Sequence, residues 1–379
     1  MLLLALACAE QTDNGAVQPA RPGKGGEVDA DTDSDSDSDA DSDADSDADS
    51  DGDADSDTEA DPGCPDGVTC IDSFPWSGSG NTDSSDVSVF DSYSCASSTD
   101  ESGPELIYQL TVAEGGFLAV DLDEHDGDVD VDVHILSSLD PAACLDRGNL
   151  AAGSMVEAGT YYLVVDSWVN GDGESQAGSY NVWINIVTPG AYAADGLGRD
   201  VLELGLSAFA AAWKQGETDR LEYTVIDFSE PSDQHRQWTF NMADGSLLYS
   251  LLVSHGEGSG SDADPRYADK FSNVDGSHMS SLGLMRTGER YDGSNGLSLT
   301  LEGLEPGIND AAESRAIVAH GADYATQEFV DDYGYLGRSW GCPAVDPDAI
   351  EGLVSDVEDG SLYWSYYPDP DFLADSDFL

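Results

Sequence analysis

Residues 317–323 read IVAHGAD and residues 337–344 read GRSWGCPA. The first stretch is a short apolar, strand-like run that delivers His320 and Gly321. The second sets Cys342 directly behind Gly341, 22 residues after the histidine. A thiol becomes a strong nucleophile when a nearby imidazole takes its proton. Glycine beside each residue lets backbone N–H groups approach a substrate carbonyl. The amides of Gly341 and Cys342 are therefore natural oxyanion donors. The competing reading is a buried structural cysteine and an unrelated histidine. These two stretches alone leave both open.

The surrounding sequence predicts a β-rich α+β domain over 199–367. Leu202, Leu206, Phe209 and Trp213 recur at spacings of four, three and four, which predicts an amphipathic helix over 199–214. Strand-like pieces follow at 222–228, 237–240 and 247–253, with Asp244-Gly245 as a turn. Asp346-Pro347 has the form of a helix start, an N-cap followed by proline in the first turn. A last strand is expected through 362–367, and an acidic tail over 368–379.

Residues 64–188 read as a separate set of short strands. Val129 to Ile135 alternates apolar and polar residues, the pattern of a half-buried strand. LIYQLTV (106–112), TYYLVV (160–165) and YNVWINI (180–186) are β-branched or aromatic runs punctuated by glycine. Such spacing predicts a β-sandwich. His125 and His134 are expected as solvated surface histidines. Asp126, Asp128 and Asp130 are read as an acidic face, with calcium as the alternative. Residues 189–198 are expected to link the two domains.

The chain has 379 residues, of which 77 are Asp or Glu and 13 are Lys or Arg, giving a net charge of −64. That length predicts two domains with linkers. That charge excludes nucleic acid as a partner and electrostatic docking on anionic lipid. Ten of the 13 basic residues follow residue 198, so the positive charge available for chemistry lies in the C-terminal half. Within residues 9–63, expected as a disordered linker, 27–63 is an Asp run interrupted by Ser and Ala. No apolar run reaches the ~18 residues of a membrane-spanning helix.

The chain opens MLLLALACAE, where an apolar run leads to Cys8. Residues 1–8 resemble a bacterial lipobox, which implies export and lipid attachment at Cys8, with Ala9 after it as in lipoproteins sent to an outer membrane. An ordinary secretory leader is the alternative, and it exports the protein too. Of the other cysteines, Cys64, Cys70, Cys95 and Cys144 suggest two disulfides with three possible pairings. The pairing expected is Cys64–Cys70 and Cys95–Cys144. Cys342 is left over by this count. No Cys-x-x-Cys or His-x-His pair suggests a metal site, so none is expected.

Two resemblances sharpen these readings. The strand order of residues 85–188, with DVDVHIL, AGTYYLVVDSW and GSYNVWI, resembles the bacterial pre-peptidase C-terminal domain. That implies a jelly-roll-like module for binding, spacing or stability. In the C-terminal half, VSHGEGSG (253–260), FSN (271–273), SSLGLMRTGE (280–289), GIND (307–310), His320-Gly321 and GRSWGCPA recur in an order that resembles the murein L,D-transpeptidase catalytic domain family, a YkuD-like branch. Trp340 stands where the wider superfamily has a second histidine, and Pro343-Ala344 replaces its usual Asn or Arg.

The resemblance implies that Cys342 attacks the amide between a stem-peptide diaminopimelate and its terminal D-alanine, with His320 as general base and then acid. Gly341 supplies oxyanion stabilisation, and the Gly321 carbonyl orients His320. Ser339 positions the catalytic histidine or the substrate. Arg286 and Arg338 are expected to clamp stem carboxylates, with ordinary salt bridges as the alternative. His255 is expected in the pocket, with a satisfied turn histidine as the alternative, Arg315 as structural, and His235 and His278 as surface. No metal or organic cofactor is implied, and the partners are peptidoglycan stem peptides and, through Cys8, a membrane. The expected location is the periplasm or outer membrane of a Gram-negative bacterium. Oligomeric state is not read from the sequence. Two alternatives remain: a carboxypeptidase or cysteine peptidase of the same fold, and a non-catalytic peptidoglycan-binding lipoprotein.

Overall fold

The structure is a computed structural model and describes residues 64–124 and 128–379. The expectations for Cys8, for the 1–8 and 9–63 segments, and for His125 and Asp126 lie outside these residues. Among the described residues no helix is long and apolar enough to cross a membrane.

Nine strands form the N-terminal sandwich. They are β1 (Val68–Ile71), β2 (Trp76–Asn81), β3 (Glu105–Val112), β4 (Gly116–Glu124), β5 (Val131–Leu136), β6 (Cys144–Gly148), β7 (Ala151–Val156), β8 (Gly159–Ser167) and β9 (Ser179–Val187). One sheet runs β1-β3-β8-β5-β6 and the other β2-β9-β4-β7. Leu110, Leu118, Val120, Val133, Val165 and Ile184 meet between the sheets with no exposed surface. The β-branched and aromatic runs fit this pleated, two-layer core. Two disulfides, Cys64–Cys70 and Cys95–Cys144, pin its ends.

Strand β5 departs from expectation. Every residue from Val131 to Leu136 is buried, Asp132 and His134 included. β5 lies between β8 and β6, and the 90–104 segment covers its polar face. His134 is thus no surface residue. It stacks on Tyr93 at 3.6 Å between centroids, and its Nε2 lies 3.7 Å from Glu101 Oε1. Arg147 pairs with both Asp132 and Glu101, and Tyr93 donates to Asp166 at 2.7 Å. Asp128 is exposed and Asp130 half-buried. Among the described residues no group of three or more His, Cys, Asp or Glu is placed to hold a metal ion.

The C-terminal part is built on one sheet of eight strands flanked by helices. Its elements are α1 (Arg199–Gln215), β10 (Glu222–Asp227), β11 (Gln237–Asn241), β12 (Leu247–Leu251), β13 (Gly283–Gly293), β14 (Gly296–Gly303), β15 (Val318–Gly321), α2 (Gln327–Tyr333), β16 (Ala344–Val345), α3 (Pro347–Val357), β17 (Leu362–Tyr366) and α4 (Pro370–Asp375). The order is β12-β11-β10-β17-β13-β14-β15-β16. Helix α1 buries Leu202, Leu206 and Phe209, the stripe set by its periodicity, and ends on Gly216 at φ 75°. Asp346 caps α3 by accepting from the Asp348 amide, and Pro347 opens it.

The two parts share a core. Phe117 of β4 packs edge-on against Phe209 at 5.0 Å and Trp213 at 6.2 Å, both on α1. Trp213 donates to Asp146 at 2.8 Å, and Asn185 donates to the Met242 carbonyl at 2.9 Å. Segment 189–198, expected as a linker, is itself packed, with Tyr192 and Leu197 buried against the C-terminal core. Residues 368–379, expected as an acidic tail, fold back as α4 and bury Phe372 and Phe378. In both segments buried aromatic or leucine side chains dock the chain on the C-terminal core.

Candidate active site

His320 and Cys342 meet through the pairing of β15 with β16. This parallel ladder sets His320 opposite Ala344, two residues beyond Cys342. The His320 amide donates to the Pro343 carbonyl at 3.3 Å. Cys342 Sγ accepts from the Val318 amide at 3.3 Å, so the sulfur lies two residues back along the strand that carries the imidazole. Among the described residues no cysteine is a free thiol. Cys342 is itself disulfide-bonded, which corrects the expectation that it stands alone. Nucleophilic attack requires its reduced form.

His320 is fully buried. Its Nδ1 lies 3.0 Å from the Gly321 carbonyl oxygen. A carbonyl only accepts, so Nδ1 carries the proton and Nε2 keeps its lone pair. Nε2 finds no hydrogen-bond partner among the described residues. Burial pushes the imidazole below its ordinary value, against a smaller upward pull from the Gly321 carbonyl. The result is a neutral ring oriented by its own backbone with one basic nitrogen unoccupied.

The cysteine loop is held by Ser339 and by the 253–260 segment. Ser339 Oγ donates to the Cys342 carbonyl at 2.6 Å and accepts from the Gly341 amide at 3.1 Å. Ser339 therefore shapes the loop from within; these contacts are not with the histidine. The Gly341 amide, expected as an oxyanion donor, is occupied by this serine. Gly341 sits at φ 119°, and a Cβ there would come within 2.6 Å of the Met279 carbonyl. Only glycine fits that position without displacing the backbone. The Glu257 amide donates to the Ser339 carbonyl at 2.7 Å, the Ser339 amide to the His255 carbonyl at 3.2 Å, and the Ser254 amide to the Ala344 carbonyl at 2.8 Å.

His255 lies fully buried in that segment. Its Nδ1 is 2.9 Å from Arg236 Nη2. Arg236 is also buried and donates to the carbonyls of Val253 and Glu230. Burial pushes the guanidinium down to about 9, with Asp227 the largest opposing influence. Sequence reasoning missed Arg236. The signal was its parity, since it shares the strand phase of Trp238 and Phe240, which face the core.

The two arginines expected to bind substrate part company. Arg338 lies in the cysteine loop, donates to the Pro265 carbonyl at 2.7 Å, and leaves its buried Nε without a partner. Arg286 sits on β13 and pairs with Glu217 at 3.2 Å and Glu302 at 2.7 Å, the salt-bridge alternative. Arg315 ties the 272–281 loop through Ser272, Ser277, Met279 and Ser281, a structural role. His235 stays exposed, its Nδ1 3.0 Å from Ser250 Oγ. His278, expected at the surface, is half-buried and stacks on Trp340 at 4.4 Å with rings 3° apart. Its φ of 54° is rare for a residue with a Cβ. The stack walls a cavity of about 110 Å³ lined also by Asp275, Gly276 and Arg315.

Residues 193–366 match the family model of the L,D-transpeptidase catalytic domain. The C-terminal part thus carries an L,D-transpeptidase-like catalytic domain. Among solved structures, an L,D-transpeptidase of Mycobacterium smegmatis is similar at 11 % identity, covering 68 % of this chain and 93 % of that one, with a TM-score of 0.25. An L,D-transpeptidase of Xylanimonas cellulosilytica shares 16 % identity over 41 % of this chain and 68 % of its own, at 0.23. The pre-peptidase C-terminal domain of a Bacillus anthracis collagenase shares 16 % over 32 % of this chain and 98 % of its own, at 0.22. Such remote likenesses transfer no residue role. No curated protein matches. The candidate base, His320, thus lies on β15 and the candidate nucleophile, Cys342, in the loop just before β16, at one end of the eight-stranded sheet.

Proposed function

We propose that the protein is a cysteine L,D-transpeptidase that crosslinks peptidoglycan stem peptides through an acyl-enzyme on reduced Cys342. One observation carries the reading: a buried neutral His320, proton fixed on Nδ1 by Gly321, leaves Nε2 unoccupied beside the strand that follows Cys342. That nitrogen takes the thiol proton. The thiolate, with the Val318 amide 3.3 Å from its sulfur, adds to the carbonyl between diaminopimelate and D-alanine. The C–N bond breaks, His320 returns its proton to the leaving amine, and a thioester remains. The side-chain amine of a second stem then adds to the thioester, gives its proton to His320, and expels the thiolate to form a 3–3 crosslink. The Cys342 amide is the donor assigned to the oxyanion, and Arg338 the residue assigned to a stem carboxylate.

The N-terminal sequence supports a place in the envelope. We infer export, lipid attachment at Cys8, and reach into the wall of a Gram-negative periplasm along the acidic 9–63 segment. The test uses the full chain under reducing conditions with disaccharide-tetrapeptides, read by mass spectrometry beside Cys342→Ala. A Cys342-dependent dimer linked between diaminopimelates is expected. Free D-alanine and tripeptide without dimer would replace this reading with a carboxypeptidase. No turnover would leave peptidoglycan binding as the function.

A further inference from the structure

The domain holds two fully buried histidines next to the cysteine loop, and their partners fix them in opposite protonation patterns. Nδ1 of His320 faces a carbonyl oxygen, which can only accept, so its proton sits on Nδ1. Nδ1 of His255 faces an arginine Nη2 at 2.9 Å, which can only donate, so its proton sits on Nε2. Arg236 has no freedom to turn away, because Nε and Nη2 both donate to the Val253 carbonyl and Nη1 to that of Glu230. Nε2 of His255 is buried and has no partner among the described residues. A buried N–H left unpaired is destabilising, so its persistence calls for an occupant.

The segment that carries His255 abuts the cysteine loop. His255 is joined to the cysteine loop through the Ser339 amide, which donates to its carbonyl, and its neighbour Gly256 bridges Ser339 directly. A Cβ on Gly256 would approach Gly341 Cα at 2.9 Å, so the two backbones touch one residue before Cys342. Arg338, three residues after Tyr335 in the same loop, is close enough to depress His255 alongside Arg236, though burial is the larger cause. It too carries a buried nitrogen without a partner, Nε. Two adjoining segments therefore each carry a buried donor without a partner among the described residues. Donors that have no acceptor of their own select a ligand oxygen.

We propose that Arg236 locks His255 as a neutral Nε2–H donor that hydrogen-bonds a carbonyl or carboxylate oxygen of the acyl-donor peptide bound at Cys342. His320 then serves as acceptor and proton carrier, while His255 holds an oxygen and exchanges no proton. Arg236 acts only through His255 and is a positioning residue. The proposal rests on the transpeptidase reading and adds to it a substrate contact and the group that orients it.

The test uses the full chain carrying Cys342→Ala, so that peptide binds without reacting, with histidine labelled by nitrogen-15. Long-range nitrogen–proton NMR should show His255 protonated on Nε2 and His320 on Nδ1. A synthetic stem tetrapeptide ending in D-alanine should shift the His255 Nε2–H downfield. Adding His255→Ala should weaken its binding about tenfold, the loss of one buried hydrogen bond. In the wild-type background, Arg236→Gln should raise KM and mix the two His255 tautomers in the spectrum. His255 protonated on Nδ1, or an Nε2–H signal unmoved by bound peptide, would overturn the donor role alone. A Cys342→Ala chain that fails to bind the peptide would overturn the transpeptidase reading and this role with it.

Discussion

Ser339→Ala tests whether the cysteine loop is held from within. The hydroxyl makes two bonds, to the Cys342 carbonyl at 2.6 Å and from the Gly341 amide at 3.1 Å, and the residue is 3 % exposed. Alanine removes both while leaving the backbone groups buried. At about 1–2 kcal/mol for each stranded group, the domain should lose about 2–4 kcal/mol. That is a large part of the ~5–15 kcal/mol that keeps a typical protein folded. Urea unfolding of the full chain should show a lower midpoint with an unchanged slope. Turnover should fall more than binding, about 10- to 100-fold in kcat with KM nearly constant, because the loop sets where Cys342 sits and not which peptide enters. A loss below about 0.5 kcal/mol with full kcat would refute the argument, since the loop would then be held by its contacts with 253–260 alone.

Further outcomes follow from the shared core and the charge distribution. Phe117→Ala removes a fully buried ring wedged against Phe209 and Trp213, and should cost about 3–5 kcal/mol and split one calorimetric transition into two. In the sandwich, burial lifts the carboxyls of Glu101 and Asp166 above their ordinary range, each to about 9. The folded state then holds more protons than the unfolded one across neutral pH, so stability should fall as pH rises from about 7 to about 9. A melting temperature that rises over that interval would contradict the buried cluster. The net charge of −64 predicts a melting temperature that climbs with salt as self-repulsion is screened, and differential scanning fluorimetry across a sodium chloride series checks it.

What the sequence disclosed depended on whether a signal was local. Helix α1 was legible because four apolar residues share one stripe, and α3 because Asp346 and Pro347 state its start chemically. The Cys342–His320 pair was legible because each sits in a short glycine-bearing motif. Polar residues were misread wherever tertiary cover decided their surroundings. Alternation marked β5 as a strand, but nothing local says that Tyr93 and Glu101 close over His134. Arg286 and Arg338 look alike in sequence; only the neighbouring acids, Glu217 and Glu302, separate a tied arginine from one left with an unpaired nitrogen. Arg236 escaped because it makes its contact through a residue 19 positions away.

Helix α1 has apolar neighbours on both sides, the C-terminal sheet on one and Phe117 of the sandwich on the other. Domains strung on pliant connectors can be duplicated, lost or exchanged by recombination, since no side chain notices the change. Here a cut near residue 190 would lay bare the Phe209 and Trp213 surface and strand Trp213 without Asp146. The lineage of this chain is therefore constrained to keep or alter both parts together, and substitutions at Phe117 should track those on α1. Grafting the catalytic part onto a different carrier would call for a redesigned helix face before any change to the chemistry.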